Sequence, residues 1–166
     1  MIKDFNFETN AKGSKSKCNK PNSKRTFQKL DDAFFYQESV LRIIDANLNR
    51  CREGLRVVED SLRFVLNDEV FYIRIRKIRH DVDEILRNVY KDLIKKRDSL
   101  PDLGRQIPEA FKRELPDLIV ANFKRVQESL RVLEEYSKTF LPEVSADFKK
   151  QRYAIYSLEK EVYLKY

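Results

Sequence analysis

"DANLNRCREGLRVVEDSLRF", residues 45–64, sets charged side chains between Leu, Val and Cys at steps of three and four. Leu48, Cys51, Leu55, Val58, Leu62 and Val65 keep that interval and share one side of a helix. The helix is expected to start near Asp31 or Glu38 and to end at Asn67, with Asp68 opening the next element. Nearly the same text returns in "VANFKRVQESLRVLEEYSKT", residues 120–139. At a constant offset of 75, residues 44–63 and 119–138 are identical at nine of twenty positions, which marks an internal duplication. The shared residues are Ile44, Ala46, Asn47, Arg50, Glu53, Leu55, Arg56, Val57 and Glu59, matched by Ile119, Ala121, Asn122, Arg125, Glu128, Leu130, Arg131, Val132 and Glu134.

Outward from this pair the helical spacing continues. Ile75, Ile78, Val82, Ile85 and Val89 predict a second long helix from about Asp68 to Lys96. "RDSLPDLGRQIP", residues 97–108, collects two prolines and a glycine and reads as a connection. A short helix over 108–114 precedes Pro116, which suits the first turn of a third long helix ending near Phe140. A last helix is expected from about Ser145, where Lys150 and Arg152 answer Lys77 and Arg79 of the second. The expected fold is all-α: a bundle of four main helices, built from two repeated hairpins packed about a pseudo-two-fold axis.

The formal net charge of +7 sits at the front. Residues 1–29 carry eight Lys or Arg against two acids, so the remainder is one charge from neutral. Residues 1–30 read as a basic mobile tail with too little apolar surface to offset its ordering entropy, and 31–166 as one domain. The tail lacks a secretory signal's apolar run, and no stretch reaches the roughly 18 apolar residues of a membrane span. A soluble, cytoplasmic protein is the expectation. Cys18 and Cys51 form neither a disulfide framework nor a metal spacing, and Cys51 reads as a small core residue.

Asn47, Arg50, Glu53, Arg56 and Glu59 advance in threes, so the plainest account is a salt-bridged, solvated helix face. Such pairs contribute only about 0.2–0.5 kcal/mol each, too little to hold residue identity in two diverged copies. Arg offers a planar fork that Lys does not reproduce, which points to a demand for geometry. His80, the only histidine, reads as a helix-face residue or a proton shuttle. No glycine-rich phosphate cradle, zinc cluster or Ser-His-Asp pattern is present, so bound phosphates would rest on arginines and helix N-termini.

"RIIDANLNRCREGLRVVEDSLRFVL", "RDSLPDLGR", "ANFKRVQESLRVLEEYSK" and "KKQRYAIYSLE", in this order, resemble the small monofunctional hydroxymethylpyrimidine-phosphate kinases of thiamine biosynthesis. In many bacteria that domain is fused ahead of thiamine-phosphate synthase. The resemblance covers about residues 40–162. Its first signature falls on Arg42, Asp45, Asn47, Arg50, Glu53, Arg56 and Glu59, and its loop on Arg97, Asp98, Asp102 and Gly104. The second signature falls on Asn122, Arg125, Glu128, Arg131 and Glu134, and the last helix matches at Arg152 and Tyr153. Arg105 departs from the pattern, where a small hydroxyl residue is expected, and the basic tail has no counterpart in it.

The resemblance implies transfer of the γ-phosphoryl group of ATP to 4-amino-5-hydroxymethyl-2-methylpyrimidine phosphate, with ATP and Mg²⁺ bound. Arg50, Arg56, Arg97, Arg125 and Arg131 are the expected phosphate-binding catalytic arginines. Asn47, Glu53, Asn122, Glu128, Asp102 and Arg152 are the expected substrate and nucleotide contacts. Asp45, Glu59, Asp98 and Glu134 are the candidates for Mg²⁺. A phosphorylated small molecule, a thiamine-phosphate synthase and a second copy of the chain are the partners to test, with no role for a membrane. Two rival functions remain. A nucleic-acid-binding protein would depend on the basic tail and on salt, and the near-neutral remainder argues against it. A non-catalytic helical interaction module would leave an apolar helix face exposed.

Overall fold

The computed structural model describes residues 33–100, 106 and 114–166. The expected tail, the expected short helix at 108–114 except its last residue, and Asp102, Gly104 and Arg105 of the central connection lie outside the described residues. Within them every regular element is helical and there is no strand. The five α-helices are α1 (Ala33–Asp60), α2 (Glu69–Ile85), α3 (Tyr90–Lys96), α4 (Leu115–Phe140) and α5 (Pro142–Lys165), with a π-helical turn, Ser61–Val65, at the end of α1. No helix among the described residues is long and apolar enough to cross a membrane.

The apolar stripe that opens the sequence is the centre of the core. Ile44, Leu48, Cys51, Leu55 and Val58 of α1 and Leu62 of the π-helical turn are buried in one cluster with Phe123, Val126, Leu130 and Leu133 of α4. Ile75 and Val82 of α2 and Phe148, Ile155 and Leu158 of α5 close the same cluster. α1 packs chiefly on α4 and α4 on α5, while α2 bridges α1 and α5 and the short α3 lies against α1. At the α1–α4 contact a Cβ on Gly54 would stand 2.8 Å from Val126 Cγ2 and 3.2 Å from the Asn122 carbonyl oxygen. Glycine within a helix costs about 1 kcal/mol relative to alanine. Here it permits an approach that a side chain would block.

Three local details differ from the sequence expectation. Val65, placed by spacing on the apolar side, is 60% exposed. The Ser61 hydroxyl donates to the Val57 carbonyl at 2.8 Å, and the Leu66 N–H reaches the Ser61 carbonyl at 3.0 Å. The widened turn carries more residues than an α turn and rotates Val65 off the stripe. Second, the helix expected over 68–96 is two helices, parted by a turn at residues 86–89. Leu86 and Leu93 are both buried, so the apolar interval runs through the break without recording it. Third, the last helix begins at Pro142, three residues early, because proline at a helix start gives up no intrahelical hydrogen bond.

The expected boundary at Asn67 and Asp68 is present. Asn67 adopts φ 48°, and the Asp68 carboxylate caps α2 by accepting from the Phe71 N–H at 3.0 Å. The same carboxylate accepts from Lys165 Nζ at 2.6 Å and from the Tyr166 hydroxyl at 2.9 Å, joining the α1–α2 corner to the end of α5.

Candidate active site

The first half of α1 and the segment leaving α3 enclose a groove of about 660 Å³. Arg97 is the residue after α3; its backbone is extended, φ −63° and ψ 123°, and this turns its side chain back toward α1. Its Nε donates to Asp45 Oδ2 and its Nη2 to Asp45 Oδ1, each at 2.7 Å. Asp45 is buried, and the fork satisfies both of its oxygens. The hydrogen bonds to Asp45 in turn push the pKa of the Arg97 guanidinium further up, keeping its charge fixed. Arg42 Nη2 donates to the Asp98 carbonyl at 3.3 Å, and Lys96 pairs with Glu38, so the outgoing segment is held to α1 at three places. Arg50 lines the same groove with no hydrogen-bond or ion-pair partner among the described residues.

Farther along, α1 and α2 share a second arrangement. The Glu59 side chain is 2% exposed; its Oε2 accepts from Arg79 Nε of α2 at 2.6 Å and its Oε1 from Arg56 Nη1 at 3.5 Å. α4 and α5 carry the same set. Glu134, 5% exposed, accepts from Arg152 Nε at 3.0 Å and Nη2 at 2.8 Å through Oε2, and from Arg131 Nη1 at 3.0 Å through Oε1. In both sets the inner arginine is nearly enclosed, Arg79 at 14% and Arg152 at 10%, while the outer one stands half in solvent, Arg56 at 53% and Arg131 at 54%. The residue four positions after each inner arginine faces it too: Asp83 Oδ2 is 3.9 Å from Arg79, and the Tyr156 hydroxyl accepts from Arg152 at 3.4 Å.

The two asparagines repeat each other as well. Asn47 Nδ2 donates to the Ile43 carbonyl at 2.9 Å and Asn122 Nδ2 to the Leu118 carbonyl at 2.8 Å. That bond uses one of the two amide N–H donors and fixes which way each side-chain amide is turned. Among the described residues Asn122 Oδ1 is buried without a partner, and Asn47 lines the groove.

A match to the ThiD2 family spans residues 42–161 of the chain. The chain belongs to the ThiD2 family. Over 129 residues it is 38% identical to a thiamine-phosphate synthase of Nostoc punctiforme, covering 76% of this chain and 36% of that protein. It is 42% identical over 123 residues to the thiamine-phosphate synthase of a Synechococcus strain, covering 72% and 34%, and 41% identical over 131 residues to that of Rhodopirellula baltica, covering 76% and 35%. The ThiD2 chain thus spans about a third of the length of the curated relatives it matches. No solved structure matches it.

Of the residues expected at the site, the ThiD2 groove collects Asp45, Asn47, Arg50, Arg97 and Asp98. Arg56 and Glu59 stand in the α1–α2 set, and Arg131, Glu134 and Arg152 in the α4–α5 set. Glu53 and Glu128 are exposed on α1 and α4, as is Arg125, and Asp102 lies outside the described residues. The carboxylates proposed for magnesium are differently placed. Asp45 and Asp98 line the groove, but only Asp98 is exposed; Asp45, like Glu59 and Glu134, is buried with an arginine donor on each oxygen. No cluster of three or more metal-ligating side chains occurs among the described residues. Magnesium bound with phosphates needs only one or two carboxylates, a demand that exposed Asp98 fits, while Asp45 could take part only by giving up its bonds to Arg97. Sequence reasoning noted Arg79 as the counterpart of Arg152 but gave it no role; the repeat was the signal that could have supplied one.

Proposed function

We propose that this ThiD2 chain is a cytoplasmic kinase that transfers the γ-phosphoryl group of ATP to 4-amino-5-hydroxymethyl-2-methylpyrimidine phosphate, giving the diphosphate. The observation that carries the reading is the meeting of Arg50 and Arg97 with Asp45 and Asp98 in one groove, within a chain whose relatives are named thiamine-phosphate synthases. The groove falls within the ~300–1,000 Å³ usual for small-molecule sites.

The chemistry asks little of a general base. A phosphate monoester has its second pKa near ~6, so the acceptor oxygen is already anionic at neutral pH. That oxygen attacks the γ-phosphorus, the bond from the γ-phosphorus to the bridging oxygen breaks, and ADP leaves. The protein's work is to suppress repulsion between two polyanions and to align the attacking and leaving oxygens. Arg50 and Arg97, with Arg56, Arg125 and Arg131, supply positive forks for this. Asp98 is the best-placed candidate to hold Mg²⁺, with Asp45 joining it only on release from Arg97; the ion would neutralise phosphate charge. Asn47 and Asn122 are proposed to read the aminopyrimidine edge or the ribose. We read the two Arg–Glu–Arg sets as halves of one pseudo-two-fold arrangement. The diphosphate product is a suitable feed for a thiamine-phosphate synthase, the activity named in the relatives.

An ATP-coupled assay with the pyrimidine monophosphate, and free hydroxymethylpyrimidine as control, tests the proposal. ADP release with the monophosphate alone is expected. No turnover with either compound overturns it.

A further inference from the structure

We infer that Arg79 and Arg152 are positioning residues: through the buried carboxylates of Glu59 and Glu134 they aim the half-exposed guanidinium forks of Arg56 and Arg131 at bound phosphate.

The burial pattern argues for this role. A carboxylate removed from water needs strong donors on its oxygens. In each set one nearly enclosed arginine satisfies Oε2 from the following helix, and the other oxygen faces the arginine one turn earlier on the carboxylate's own helix. The inner arginine has little surface from which to meet a ligand, 14% for Arg79 and 10% for Arg152. The outer one faces the carboxylate's other oxygen and stands half in solvent: Arg56 at 3.5 Å with the rest of its fork open to receive a polyanion, Arg131 at 3.0 Å with Nη2 also paired to Glu135 Oε1 at 2.7 Å, a surface pair that an anion would have to displace.

Stability alone does not account for the arrangement. Apolar residues of matching volume commonly stabilise a protein as well as a buried ion pair does, or better. Yet the sequence keeps Arg56, Glu59, Arg131 and Glu134 at matching places in two helices that share only nine of twenty residues. The inner arginines come from different helices, α2 and α5, and reach equivalent carboxylates. Even the next neighbour is functionally replaced, Asp83 by Tyr156, an acceptor in each case.

The inference rests on the phosphoryl-transfer reading for the identity of the ligand. Binding of inorganic pyrophosphate, measured by calorimetry without turnover, lets the two fail separately. The full chain would carry Arg79→Met with Glu59→Leu, and in parallel Arg79→Lys. The double variant should melt at or above the wild-type temperature while losing about tenfold in pyrophosphate affinity, the worth of one charge-assisted hydrogen bond. Its kcat/KM should fall about 10²-fold, as for a misplaced catalytic group. Arg79→Lys keeps the charge but not the fork and should show the same loss with a wild-type melting temperature. Wild-type pyrophosphate affinity and kcat/KM in either folded variant would overturn the inference, as would failure of the wild-type protein to bind pyrophosphate. A wild-type protein that binds pyrophosphate, loses it in both variants and never turns over would sink the kinase assignment and leave the positioning role standing.

Discussion

Arg97 grips Asp45 with two hydrogen bonds of 2.7 Å across 52 positions of sequence, and this one contact ties the end of α3 to the side of α1 where the groove lies. Replacing Asp45 by Asn should remove the charge that holds the fork and free Arg97 to swing into solvent. The expected loss is about 1–2 kcal/mol, between the values of exposed and buried pairs, since Arg97 is part-exposed and Asp45 is not. Turnover should fall about 10²-fold, more than stability accounts for. Denaturant unfolding and steady-state kinetics on the same preparation check both.

Arg50 offers the complementary case. It is exposed, lines the groove and has no partner among the described residues, so Arg50→Ala should shift stability by less than about 0.5 kcal/mol. An arginine that meets a transferring phosphoryl group is worth far more, and kcat/KM should drop by about 10³. Unchanged kinetics in this variant would remove Arg50 from the site.

The corner between α1 and α2 predicts an acid dependence. The hydrogen bond from Lys165, then that from the Phe71 N–H, holds the Asp68 carboxyl at about 2, below the ordinary ~3.9 of an aspartate. A carboxylate depressed on folding contributes stability that is full above its unfolded pKa and is lost as pH falls through the folded one. The melting-temperature advantage of wild type over Asp68→Asn should therefore be constant above pH ~4 and shrink between pH ~4 and ~2. A gap that stays level to the acid end would show that Asp68 acts only as a cap.

Gly54 sets two effects against each other. Alanine gains about 1 kcal/mol of helix propensity, but its Cβ would press on Val126 Cγ2 at 2.8 Å and on the Asn122 carbonyl oxygen at 3.2 Å. Val126 is fully buried and the carbonyl is backbone, so neither gives way easily. Overpacking of this kind costs about 1–3 kcal/mol, and Gly54→Ala should be destabilising on balance. Thermal melts should show Val126→Ala partly rescuing it when the two are combined.

Much of this fold was legible in the spacing of its apolar residues, because a helix that buries one face writes its period into the chain. The stripe from Leu48 to Leu62, the cap at Asp68 and the role of Pro116 were all readable in this way. The break at residues 86–89 was not, since no glycine or proline marks it and both Leu86 and Leu93 keep the apolar interval. Val65 misled for the opposite reason: a serine hydroxyl bonding backward alters the turn, and spacing counts residues rather than turns. At the site, the repeat pointed to the charged residues but not to who holds whom. Pairing Asp45 with Arg97, or Glu59 with Arg79, depends on where α2 and α3 end and how they fold back.

Only Leu141 separates α4 from α5, and the Ser145 hydroxyl bonds the Glu134 carbonyl at 3.0 Å across that elbow. With so little slack, the spacing of 18 residues between Glu134 and Arg152 works as a mechanical gauge. One inserted residue at the elbow would slip the last helix past its neighbour and part the guanidinium from its carboxylate, although every residue of both would still be present.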